Sequence, residues 1–185
     1  MCGIYVACLV QDRSSTGAAE KMRFLETWDF INFDATAGNF ARRAAIELVP
    51  SILLVDDSAD NLLVLREYLK KTQYELDEAC NGADAVAKVK LRNYDIIVMD
   101  LLMPEMDGFE AMRMIRQLED SSGGEHACIM IALTAWALKE AAQESYRCGA
   151  DLHLTKPIRK AQLLEVLKTQ WSRIKQRRAA ASAMR

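Results

Sequence analysis

The stretch Y-D-I-I-V-M-D-L-L-M-P, Tyr94 to Pro104, decides how this chain folds. Its centre, Ile96–Met99, is a short unbroken apolar run that stops abruptly at Asp100. Such runs suit a strand covered on both faces, the usual situation in a parallel sheet. Upstream, S-I-L-L-V-D-D (Ser51 to Asp57) repeats the pattern, with Ile52–Val55 ending against Asp56 and Asp57. Downstream, Ile129–Leu133 runs into Thr134, and L-H-L-T-K-P (Leu152 to Pro157) runs into Lys156.

Between these runs the apolar period changes to that of a helix. Ser58 is placed to cap a helix whose Leu62, Leu65 and Leu69 share one face. Tyr74–Ala79 reads as a second strand, and Asn81-Gly82 opens a helix with Ala85, Val86 and Val89 inward. Met106-Asp107-Gly108 turns into a helix over Phe109–Leu118, and Ser121-Ser122-Gly123-Gly124 reads as a flexible loop. A helix from about Leu138 ends at Gly149, a left-handed cap, and a last helix spans Lys160 to about Arg177. Five strands in strict alternation with helices predict an α/β fold, a doubly wound parallel sheet with helices on both faces.

This pattern assigns residues 50–170 to one domain, 1–49 to an N-terminal extension and 171–185 to a basic C-terminal tail. The extension has a helical stretch at Ala18–Trp28, a cluster of Trp28, Phe30 and Phe33, and a loop at Thr36-Ala37-Gly38-Asn39. It reads equally as a linker helix, a docking element or a remnant of an upstream domain. The tail reads as a solvated helix end, too short for a DNA-binding domain.

Net charge is −2, so nothing in the bulk attracts nucleic acid or an anionic membrane. Cys2, Cys8, Cys80, Cys128 and Cys148 form no C-x-x-C pair and are odd in number, the usage of reduced thiols in a cytoplasmic protein. The apolar opening Met1–Val10 falls short of the ~20 residues a bilayer span needs. It also lacks the basic start and cleavage site of a signal peptide.

An open α/β sheet binds ligands outside the carboxyl ends of its strands. Asp56, Asp57 and Asp100 therefore meet at one edge, with Lys156 arriving from a later strand. Oxygen ligands of this kind suit Mg2+, which is held by one or two carboxylates plus phosphate oxygens. Asp57 and Asp100 fit as direct ligands and Asp56 as a direct or water-mediated one. An aspartate can also serve as nucleophile toward phosphorus, and phosphoryl transfer needs mainly alignment and charge neutralisation. Lys156 supplies a mobile positive charge, Thr134 a hydroxyl donor, and Ala135 room for the phosphoryl group.

On these residues the chain resembles the response-regulator receiver domain of two-component signalling, over about Ser51 to Lys168. The resemblance rests on Asp56-Asp57, on Asp100 with Met103-Pro104 and Asp107-Gly108, on Thr134-Ala135 and on Lys156-Pro157. Each pair alone is weak, but all four in order, each at a strand end, are specific. The resemblance implies a flavodoxin-like strand order 2-1-3-4-5. It implies Asp100 as phosphoacceptor, Asp56 and Asp57 at the magnesium site, and the Leu102 backbone carbonyl as a further ligand. It also implies Thr134 as the switch hydroxyl and a cis Lys156–Pro157 bond. The family's aromatic switch position falls on His153, where tyrosine or phenylalanine is more usual.

The implied donor is a phosphohistidine on a sensor histidine kinase or a histidine phosphotransfer protein. Output is expected by contact with a downstream protein, because no further domain follows the last helix. A-L-T-A-W-A-L-K-E and L-T-K-P-I are similar to receivers of hybrid sensor kinases, so a stand-alone relay and the receiver piece of a hybrid kinase both fit.

Other readings are weaker. A haloacid-dehalogenase-type phosphatase needs a second acid where Leu102 stands, and a flavodoxin needs a phosphate loop where Asp56-Asp57 would repel phosphate. A phosphorylation-independent pseudo-receiver fits poorly with the full acidic set. Met1-Cys2-Gly3-Ile4 resembles the start of class II glutamine amidotransferases, but no partner motifs follow. His126 reads as solvated, and His153 as a partly buried structural residue rather than a metal ligand. No Gly-rich nucleotide segment marks the chain as a kinase.

Overall fold

The apolar runs form five strands: β1 (Ser51–Val55), β2 (Glu75–Ala79), β3 (Ile96–Asp100), β4 (Ile129–Thr134) and β5 (Leu152–Thr155). They make one sheet in the order β2-β1-β3-β4-β5, with every neighbouring pair parallel. This is the flavodoxin-like order that the resemblance implies. The computed structural model describes residues 49–123, 127–135 and 139–183. The expectations for the extension up to Leu48 and for Gly124, His126 and Leu138 lie outside the described residues.

Alternate strand residues go to opposite faces. Leu53, Val55, Ile97, Met99, Met130 and Ala132 pack in one core cluster. Ile52, Leu54, Ile96, Val98, Ile131 and Leu133 pack in the other. The helices α1 (Ala59–Leu69), α2 (Gly82–Leu91), α3 (Gly108–Ser121), α4 (Lys139–Arg147) and α5 (Lys160–Ala183) supply the cover. Ala85 and Val86 of α2 and Ala111, Met112 and Ile115 of α3 close the first cluster. Leu62, Leu65 and Leu69 of α1 and Leu163 and Leu167 of α5 close the second. Each fully buried side chain of this size contributes about 1.5–3 kcal/mol relative to exposure, which explains why Ile52–Val55 of β1 and Ile96–Met99 of β3 are unbroken by any polar residue.

Three helices start just beyond a strand end, and each is capped from its own sequence. Ser58 Oγ accepts the Asn61 N–H, Asn81 Oδ1 that of Asp84, and Asp107 Oδ1 that of Glu110, at 3.4, 2.7 and 2.8 Å. These caps satisfy amides that have no partner within the helix. At the far end of α4, Gly149 takes φ +105°, the left-handed conformation that ends a helix at little cost only with glycine.

Two boundaries differ from expectation. Helix α3 runs on to Ser121, read as loop, because the Ser121 hydroxyl donates to the Gln117 carbonyl one turn back at 2.7 Å. The last helix continues to Ala183, and Trp171 and Ile174 are buried in the second core cluster. Arg178 pairs with the buried Asp95 carboxylate, whose other oxygen accepts the Ser51 N–H at 2.8 Å. The segment expected as a solvated tail from 171 is therefore part of the domain's packing, although Arg173, Lys175 and Arg177 are exposed. No helix among the described residues is long and apolar enough to cross a membrane.

Candidate functional site

Strand register brings the acids together. Val55 lies beside Met99, so Asp56 follows β1 at the level of Asp100, which itself pairs with Leu133. Thr134 pairs with Thr155 at the next level, and Lys156 follows directly, its N–H donating to the Thr134 carbonyl at 2.7 Å. The Lys156–Pro157 peptide bond is cis.

The Lys156 ammonium bridges two carboxylates, with Nζ 2.6 Å from Asp56 Oδ2 and 2.9 Å from Asp100 Oδ2. Asp56 is completely buried, and its other oxygen accepts the Ser58 N–H at 3.0 Å and the Asn61 side-chain amide at 2.9 Å. Asp57, next in sequence, is exposed. One carboxylate oxygen from each of Asp56, Asp57 and Asp100 lies within 4.8 Å of the others.

Burial is the largest influence on Asp100, and it pushes the carboxyl pKa up from its ordinary value; nearby Asp56 adds to this, while Lys156 and the Leu102 N–H pull it back. Lys156 moves the other way from what burial alone would do. Burial lowers it, but the bonds to Asp56 and Asp100 outweigh that and leave it raised, so it remains an ammonium at neutral pH. Charged groups this far out of water persist only when paired, and the pairing is what makes the site possible.

The donor set is all oxygen, gathered within 4.8 Å at a strand edge, and that chemistry fits a hard divalent ion such as Mg2+. The β1–α1 turn is not a phosphate cradle, because its Ser58 amide already serves Asp56. Leu102, where a phosphatase of the dehalogenase type would carry its second acid, is 42% exposed.

Of the residues singled out in the sequence, Asp56, Asp57, Asp100 and Lys156 converge. Thr134 lies fully buried at the same edge. His153 lies farther back in β5 and faces α4, where Nδ1 is 3.0 Å from Ser145 Oγ. Asn61, which orients Asp56, escaped the sequence reading; a polar side chain in the first turn of the helix after an acid-ended strand was the available sign.

The sequence model of the response regulator receiver domain matches residues 52–168. The sensor protein EvgS of Escherichia coli strain K12 is 37% identical over 131 residues, covering 68% of this chain and 10% of EvgS. The hybrid signal transduction histidine kinase L of Dictyostelium discoideum is 36% identical over 141 residues, covering 70% of this chain and 8% of the kinase. The chain thus spans a small part of these curated relatives. Among solved structures, the receiver domain of a Pseudomonas aeruginosa PAO1 sensor histidine kinase is similar with TM-score 0.60 and 32% identity. The match covers 67% of this chain and 98% of that one, a structure with a magnesium ion coordinated in its active-site cleft.

Proposed function

The chain belongs to the response regulator receiver domain family, and from that premise we propose that it accepts a phosphoryl group on Asp100. The donor is a phosphohistidine on a sensor histidine kinase or a histidine phosphotransfer protein. The observation that carries this reading is the Lys156 ammonium held between Asp56 and Asp100 beside the exposed Asp57.

In the proposed reaction an Asp100 carboxylate oxygen attacks phosphorus, an O–P bond forms, the N–P bond breaks, and the imidazole leaves with the electron pair. Lys156 is close enough to follow the phosphoryl oxygens and offset their charge. Thr134 is the hydroxyl donor to the same oxygens. Asp56, Asp57, Asp100 and the Leu102 carbonyl would hold Mg2+, which when bound neutralises the clustered acids and the incoming phosphate. Asp56 stays fixed by Ser58 and Asn61 throughout. The output is a changed protein-binding surface around α4, β5 and α5, read by a downstream protein.

The deciding experiment is intact-mass measurement after incubation with Mg2+ and a small acyl phosphate. One added phosphoryl group is expected, lost on chelation and in Asp100→Asn. Labelling that persists in Asp100→Asn overturns the assignment, and a chain that takes up nothing while still binding its partner is a phosphorylation-independent pseudo-receiver.

A further inference from the structure

His153 lies inside β5, opposite Ala132 of β4, and its ring meets α4 through one hydroxyl. Ser145 Oγ lies 3.0 Å from His153 Nδ1 and donates to the Ala142 carbonyl oxygen at 2.8 Å. Ser145 is fully buried, so water does not offer a substitute for either bond. A serine hydroxyl has a single proton and two acceptor lone pairs. With that proton on Ala142, Oγ can only accept from the ring. Nδ1 must then carry hydrogen, and the neutral imidazole leaves Nε2 as its proton-free nitrogen.

We propose that Ser145 is the positioning residue of the switch, fixing the tautomer and orientation of His153 and tying β5 to α4. Here the ring is tethered, so displacement of His153 breaks or carries along a bond to the helix that follows Thr134. Tyr146, the next residue of α4, stands with its ring 6.5 Å from the imidazole and tilted by 53°. It is half exposed, so movement of the tether reaches an aromatic on the surface. The coupling of this tether to phosphorylation rests on Asp100 being the acceptor; the tautomer assignment does not.

The test is long-range 15N–1H NMR of the imidazole in the full chain, with the other histidine removed by His126→Gln so that one ring remains. The parent is expected to show the Nδ1–H tautomer. Ser145→Ala should shift the ratio toward Nε2–H by about fivefold or more, the size of one net hydrogen bond, and Ser145→Thr should restore it. An Nε2–H ring in the parent, or a ratio unmoved by Ser145→Ala, overturns the proposal. A second arm adds Mg2+ and beryllofluoride as a phosphoryl stand-in. Shifts of α4 amides should be at least halved in Ser145→Ala at equal saturation, and undiminished shifts overturn the coupling. A parent that does not bind beryllofluoride overturns the reading of Asp100 and with it the coupling, while the ring spectrum alone still decides the tautomer.

Discussion

Gly108 packs against Asp100 so closely that a Cβ on it would sit 2.1 Å from the Asp100 carbonyl oxygen and 2.9 Å from the Leu101 Cα. The obstacle is backbone, so no side-chain rotation relieves it. The Gly108 N–H also donates to the Leu101 carbonyl at 3.1 Å, which presses the start of α3 onto the end of β3. Overpacking of this kind costs about 1–3 kcal/mol. Gly108→Ala is expected to lower the urea midpoint accordingly and to reduce phosphoryl uptake, because Asp100 must shift with its backbone. An alanine variant that matches the parent in both would show that the loop yields freely.

Asp100→Asn is expected to stabilise the protein in the presence of chelator. Three carboxylates lie within 4.8 Å around a single ammonium, and Asp100 is almost wholly buried. Removing one charge relieves repulsion at the cost of one bond to Lys156. A gain on the order of 1 kcal/mol is anticipated, the usual size when a functional site is relaxed. It should shrink when Mg2+ is added, since the cation offsets the same repulsion only in the parent. Equal or lower stability of Asp100→Asn in chelator would mean that Lys156 already compensates the acids in full.

The sheet was legible because Ile52–Val55, Ile96–Met99 and Ile129–Leu133 are unbroken apolar runs, each followed by an acid or a hydroxyl. Strand ends in such a sheet share an edge, so Asp56, Asp57, Asp100 and Lys156 follow almost directly. Ser145 and Asn61 were not legible. Each is an ordinary polar residue in a helix, and its role depends on how that helix is rotated against a strand. The packing of the last helix had a partial sign in Leu163, Leu167, Trp171 and Ile174 at helical spacing. Neighbouring basic residues drew the reading toward a solvated tail instead, and nothing local links Arg178 to Asp95.

That packing gives a stability prediction. Trp171 and Ile174 are buried, and the Arg178 and Lys175 side chains lie over the Trp171 ring at 5.7 and 5.8 Å. Trp171→Ala is expected to cost about 3–5 kcal/mol, the range for emptying a buried aromatic site. Ending the chain after Gln170 should cost at least as much. Urea melts of both variants beside the parent check this, and a truncated chain with the parent's midpoint would return residues 171–183 to the status of a tail.

His153 gives a pH dependence with a definite sign. Burial lowers its pKa from the ordinary imidazole value, so the unfolded chain binds the proton more readily. A depressed folded pKa contributes stability that is present above the unfolded value, about 6.5, and lost as pH falls through the folded one. His153→Phe should lack that loss. The parent and the variant should therefore diverge between about pH 7 and pH 5, with the parent falling faster. Parallel curves would mean that the ring is as easily protonated in the fold as outside it.

If Asp100 is the acceptor proposed above, the lifetime of its phosphoryl group is expected to turn on Leu102. Hydrolysis needs a water in line with the bond between phosphorus and the Asp100 oxygen, and a nearby polar side chain would hold it there. Leu102 offers its N–H to the Asp100 carboxylate, but its side chain is apolar and 42% exposed, so it presents hydrocarbon where solvent approaches. Slow self-dephosphorylation is the expected result, suited to a relay that must pass its phosphoryl group on before losing it. One added water contact worth about 1.4 kcal/mol would change the rate tenfold. Leu102→Asn should accelerate decay by roughly that factor, whereas Leu102→Met, similar in size and equally apolar, should leave it unchanged. Decay of the phosphorylated protein is followed by intact mass after removal of the donor. Acceleration in both variants would point to the shape of the loop, and acceleration in neither would mean that the side chain at 102 does not govern access of water to Asp100.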